Sequence, residues 1–227
     1  RRSTRHTKEL TVNATENRGL YEFTEGLSRV YATFASALKP GAPFAFTYHH
    51  NDLEAYLPVI IAVLDSGLAC TSVLPCPAEM GASQHIEGTS SSVVDSIFVC
   101  RQQGTIVPNN FGLTERVAIK ALKDDLRALS EGGQAPSLGD ARCILLGHIA
   151  RLAIWALRDN WDTGASVDVK LERVRQTLDE ALDLNALSEI VENTHSSYRP
   201  EKGEGPLFDG VGGNGETKSV SFDLANQ

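Results

Sequence analysis

Six of the seven residues from Tyr48 to Glu54 can donate, accept or stack: Tyr48, His49, His50, Asn51, Asp52 and Glu54, with only Leu53 apolar between them. A phenol ring and imidazoles offer flat faces for stacking and hydrogen-bonding edges, and an amide such as Asn51 reads both donors and acceptors. His49, His50, Asp52 and Glu54 also resemble a metal-ligand set by type. Adjacent histidines at a strand end point to opposite faces, however, so both reaching one ion is disfavoured and no metal site is expected. A second group, Glu79, His85 and Glu87, lies in the Gly/Ser/Thr-rich stretch 78–92. No nucleophile stands next to a base in the sequence, so a hydrolase has no support. The bland alternative stays open: Tyr48 in the core, with the two histidines capping a strand and a helix.

Stacking and reading edges are useful only if the chain holds them still, and the stretch from Leu20 to His50 is built to do so. Phe23, Leu27, Val30, Phe34 and Leu38 recur at helical spacing and predict one face turned to a core. Lys39-Pro40-Gly41 ends that helix, with a cation in the last turn, a proline that cannot continue it and a glycine free to take a positive φ. Phe44-Ala45-Phe46-Thr47-Tyr48 follows, a β-prone run with little polar interruption, as expected of a strand covered on both faces. A helix handed into such a strand is half of a βαβ unit, so the fold class is α/β. In an open sheet of that kind ligands sit outside the carboxyl ends of the parallel strands, which puts Tyr48, His49, His50 and Asn51 at the rim of a pocket.

Asn51 and Glu54 form a capping-box pattern for the next helix, whose apolar stripe runs through Leu53, Tyr56, Ile60, Val63 and Leu64 to Ser66-Gly67. Pro58 inside it should bend it. Leu68 to Leu74 reads as a second strand stopped by Pro75 and Pro77, and Val93 to Cys100 as a third. With no helix between them, the two should pair antiparallel. Residues 104–113 read as a linker, and three helices are expected at Thr114–Ser130, Leu138–Arg158 and Val167–Val191. From 194 onward Pro, Gly and charge dominate, so 194–227 reads as a disordered tail. The run Gly210 to Gly215 follows no strand and opens no helix, which separates it from a phosphate loop.

Composition sets the outer limits. Hydrophobic content of 41% and charged content of 22% over 227 residues suit a globular protein. No apolar run is long enough to span a membrane. Net charge is −8, with 8 Lys+Arg against 10 Asp+Glu in residues 1–103 and 13 against 19 in 104–227. Broad binding to phosphate backbones needs clustered cations, and the opening segment from Arg1 to Lys8 is where the sequence shows them. Cys70, Cys76, Cys100 and Cys143 form no Cys-x-x-Cys pair, and free thiols in a reducing cytoplasm are expected. The chain begins at Arg1, and a piece of something longer is the favoured reading.

Helix, Leu38-Lys39-Pro40-Gly41, strand, helix, strand, hairpin, strand is the order of the second half of class I S-adenosylmethionine-dependent methyltransferases. More narrowly, residues 46–52 (FTYHHND), 75–80 (PCPAEM) and 92–101 (SVVDSIFVCR) resemble the end of the catalytic domain in large adenine-specific DNA methylases with an N-terminal domain of unknown function, the DUF1156 group. The resemblance covers residues 1–103 well and the helical remainder loosely. It implies a Rossmann-like half-sheet with a parallel strand and a closing antiparallel pair at 1–103, a helical region at 114–193, S-adenosyl-L-methionine as cofactor of the whole enzyme, and DNA as partner, in a restriction-modification or phage-defence setting. It also implies that Tyr48 or His49 could stack on or bond a flipped base, and that the loop with Glu79 could face DNA. The family's Gly-rich cofactor loop and its Asp/Asn-Pro-Pro-Tyr/Phe motif are missing from this sequence and by the family's order belong upstream, on a missing N-terminal half. No catalytic residue is therefore expected here, and poor cofactor binding by the chain alone. A non-catalytic, methyltransferase-like interaction module is the alternative.

Overall fold

The computed structural model describes residues 19–77, 94–106 and 112–198. Glu79, the basic segment Arg1–Lys8 and the glycine run of the tail lie outside the described residues. The chain is mixed α/β: α1 (Leu20–Ala37), β1 (Phe44–Tyr48), a 3₁₀ turn (Leu53–Tyr56), α2 (Leu57–Asp65), β2 (Leu68–Pro77), β3 (Val94–Gln102), α3 (Glu115–Glu131), α4 (Leu138–Leu157), α5 (Val167–Ala181) and α6 (Leu184–Tyr198). The sheet has the order β1-β3-β2, and β3 is antiparallel to both neighbours. β1 and β2 therefore run parallel, joined through α2, with the last strand inserted between them.

Register explains which face is buried. Phe44, Phe46 and Tyr48 lie opposite Cys100, Phe98 and Ser96, and Cys70 and Val73 lie opposite Cys100 and Phe98, so all of these side chains share one face. Helices cover that face. Tyr31 of α1 packs on Phe44 and Phe46 with ring centroids 5.1 and 5.0 Å apart, Tyr56 reaches Phe98, and Gly147 of α4 lies against Ser96 and Val73. The opposite face is exposed at Ala45, Thr47 and Leu74 and half-buried at Ile97 and Val99. The expectation that β1 is covered on both faces thus fails, because β1 has a single neighbouring strand among the described residues and helices on one side only.

α1 presents a different ridge from the expected one. Thr24, Gly26, Tyr31 and Ala35 are buried, while Val30 and Phe34 are 41% and 52% exposed. Small residues at 24, 26 and 35 bring α1 close to its neighbours, and Phe34 is left stacked on Phe44 at the sheet's edge, 5.3 Å between centroids. Gly41, Gly67 and Gly133 take φ of +77°, +66° and +77° in the left-handed turns that follow α1, α2 and α3, the first of them as expected. Asp52, not Asn51, caps the 3₁₀ turn by accepting the Glu54 N–H at 3.1 Å. Pro58 falls in the first turn of α2, where its missing N–H has no partner to lose, so it bends nothing.

β2 runs on through Pro75 and Pro77. Spaced by two, their nitrogens lie on the same side of the strand, toward the edge away from β3, where a sheet accepts proline. The last expected helix is two helices, broken at the extended Leu182, after which Asp183 accepts the Ala186 N–H at 3.1 Å and starts α6. α4 is apolar nearly all round and buried, packed against the sheet and the other helices, so sheet and helices share one core.

Asp65 closes α2, where the helix dipole disfavours a carboxylate. Lys170 of α5 offsets this: its Nζ lies 2.8 Å from Asp65 Oδ1 and donates to the Thr163 carbonyl at 2.8 Å, while Trp161 Nε1–H donates to Asp65 at 2.9 Å. The Lys170 and Asp65 side chains are 8% and 13% exposed.

Candidate functional site at the end of the first strand

Tyr48, His49, His50 and Asn51 follow one another at the carboxyl end of β1, and Asn51 lines a cavity. Tyr48 is half-buried, with its ring edge-on to Tyr56 and its hydroxyl donating to the Ala55 carbonyl at 2.7 Å. Burial raises its phenol above the ordinary value. Its ring packs in part against the core.

The histidines are held by different atoms. His49 Nδ1 lies 3.0 Å from the Val94 carbonyl, an acceptor, so in the neutral ring Nδ1 carries the hydrogen and Nε2 is left as an acceptor. Asp95 Oδ1 is 3.4 Å from the same nitrogen. His50 Nδ1 instead accepts the Asp52 N–H at 2.9 Å, so its Nε2 carries the hydrogen and donates. Two exposed rings thus offer one acceptor and one donor. Glu54 is taken up in a two-pronged pair with Arg175, at 2.7–3.2 Å. Among the described residues no group of three His, Cys, Asp or Glu is placed to hold an ion.

Asn51 and Asp52 open onto a cavity of about 230 Å³ whose walls are Leu53, Leu145, Leu146 and Ile149, closed by Leu187 and Val191 of α6. Arg142 lies at its lip, bonded to Glu192 at 3.0 Å. The space is below the ~300–1,000 Å³ of drug-sized clefts and suits a single ring system.

Cys143 escaped sequence reasoning. Its sulfur sits 3.7 Å from His49 Nδ1 and 3.6 Å from the Tyr56 hydroxyl, 94 and 87 residues away along the chain. Only the docking of α4 on the sheet makes these neighbours, so no local signal could have found them. The arrangement is not an activated thiol. Burial raises the Cys143 thiol, its backbone and sulfur are fully enclosed, and the hydrogen on His49 Nδ1 is committed to Val94.

Tyr56 is likewise raised, by burial first and then by the Cys143 thiol. Both groups stay protonated in the fold while the unfolded chain ionises near its ordinary values of 9.0 and 10.0. Native values above unfolded ones mean that the full stability holds below pH 9 and is lost as pH rises. We expect urea midpoints constant from pH 7 to 8.5 and falling above pH 9, by about 1.4 kcal/mol per group per further pH unit. Cys143→Ala should remove part of that slope; a midpoint flat to pH 10.5 would contradict it.

No helix of the described residues is long and apolar enough to cross a membrane. No protein-family model, no curated protein and no solved structure matches this chain.

Proposed function

We propose that the chain is the C-terminal part of an S-adenosylmethionine-dependent DNA methyltransferase, which transfers a methyl group to the exocyclic amine of adenine using a cofactor loop and a Pro-Pro motif supplied from upstream. The observation that carries the reading is the sheet: two parallel strands joined by α2, with β3 inserted antiparallel between them and the far edge of β1 unpaired among the described residues. A Rossmann-like sheet continued by further parallel strands beyond β1 fits that edge, and the end of β1 would then fall at the middle of the complete sheet, where such folds bind ligands. The donor and acceptor presented by His50 and His49 suit the edge of an adenine drawn out of its duplex, whose amine donates and whose ring nitrogen accepts.

The test is to read the locus upstream of the Arg1 codon and express the whole frame. Expected are a Gly-rich loop and an Asp/Asn-Pro-Pro-Tyr/Phe motif in that order, and N6-methyladenine in plasmid DNA recovered from the expressing host. His49→Ala and His50→Ala together should lower kcat/KM by ten- to hundredfold, about 1.4–2.7 kcal/mol. An upstream frame with neither motif, or a full-length protein that leaves DNA unmethylated, overturns the reading.

A further inference from the structure

The acidic chain carries one concentrated positive surface among its described residues, and it lies away from β1. Arg116, Lys120, Lys123 and Arg127 on α3 are all exposed. Their spacing of four, three and four residues keeps them within an arc of about 60° of the helix, in a line about 16 Å long. Arg151 of α4 joins Arg116 and Lys120 around a groove of about 360 Å³ that also includes Asp124. Asp124 pairs with Lys120 at 2.6 Å and with Arg127 at 3.9 Å. Among the described residues no ion pair is made by Arg116, Lys123 or Arg151, and the buried Nε of Arg151 has no hydrogen-bond partner. Of the other acids of α3, Glu115 accepts the Asp183 N–H and Asp125 holds His148 at 2.7 Å, while the exposed Glu131 lies one turn beyond Arg127.

Five cations against two carboxylates, Asp124 and Glu131, in a protein of net charge −8, form a surface arranged for an external anion. A single small anion needs one point of contact, whereas a line of this length matches a repeating one. Over about 16 Å of duplex axis one strand presents about five phosphates, at ~3.4 Å each. Guanidinium groups such as Arg116 and Arg151 bind phosphate oxygens through two parallel N–H bonds. We propose that α3 and Arg151 form a binding surface for the phosphodiester backbone of duplex nucleic acid, with Arg151 and Arg116 holding one phosphate in the groove and Lys120, Lys123 and Arg127 following the strand. The surface is independent of the methyltransferase reading, since it uses none of the residues at the end of β1.

The experiment is a fluorescence-anisotropy titration of the full 227-residue chain against a labelled 20-base-pair duplex of arbitrary sequence, at 50–200 mM KCl. Expected is binding whose log K falls against log[KCl] with a slope of about −3 to −4, as four phosphate contacts require. Arg116→Gln/Arg151→Gln should weaken it at least tenfold at 50 mM KCl, and so should Lys123→Gln/Arg127→Gln, which touches no packed surface; the first pair, which shares one phosphate, should reduce the slope by about 1 and the second by about 2. Deleting residues 1–8 should leave most of the affinity. The proposal is overturned if the wild-type chain fails to bind at 50 mM KCl, if both double variants bind as well as wild type, or if deletion of 1–8 abolishes binding. Methylation by the whole frame is a separate readout, so failure here leaves that reading standing, and the reverse.

Discussion

Lys170→Met is expected to lower the folding free energy by about 3–5 kcal/mol, the range for removing one partner of a buried ion pair. The substitution preserves the volume of the side-chain stem, so the loss is electrostatic: Asp65 keeps only the Trp161 N–H, at the end of a helix whose dipole opposes its charge. The Thr163 carbonyl also loses its donor. A urea-denaturation midpoint reads the change directly. Lys170→Met with Asp65→Leu should recover most of the loss, because the pair in isolation returns little beyond what its desolvation costs. A single variant as stable as wild type would show that the ammonium is solvated and the network incidental.

Phe98→Ala should cost a similar amount, about 3–5 kcal/mol, while Ile97→Ala, next to it in the same strand, should cost less than about 1 kcal/mol. Phe98 is fully enclosed, stacked on Phe46 at 5.1 Å and reached by Tyr56. Its loss opens a cavity among the rings that hold the end of β1 in place. Ile97 points to the face that no ring contact covers, and it is already half in solvent. The contrast measures how one-sided the core is. Equal costs at the two positions would mean that the far face is covered. In an assembled enzyme of the proposed kind, Ile97→Ala should become costly only once the upstream half is present.

What was legible in the sequence was local. The Pro40-Gly41 stop, the Ser66-Gly67 stop and the antiparallel pairing of β2 with β3 each depend on a few adjacent residues, and the structure has them. The α5–α6 break was also local, written in Asp183 as a cap, but a continuous apolar stripe hid it. The face of α1 was not local. Apolar spacing says that a helix has a stripe, while burial depends on what lies opposite, and Phe34 and Val30 meet nothing that encloses them. The same holds for β1, whose side chains would suit a strand between two layers although one layer is in place. At the site, placement of Tyr48 to Asn51 followed from the strand's end, but the opposite tautomers of the histidines come from Val94 and Asp52, and Cys143 arrives from another helix. The cationic line on α3 was present as a 4-3-4 spacing, and a net charge summed over the chain averaged it away.

Proline at 75 and 77 gives the sheet a direction. One border lacks the amides of Pro75 and Pro77 and is kinked by the bulge between Cys70 and Ser72, while the β1 border keeps its full set of amides. Head-to-tail stacking, which needs two receptive borders on every copy, therefore stalls at the first addition, and two molecules that meet through β1 close upon each other and offer nothing further. An isolated chain of this kind would be caught as pairs and not as fibres, because among the described residues one border alone is receptive.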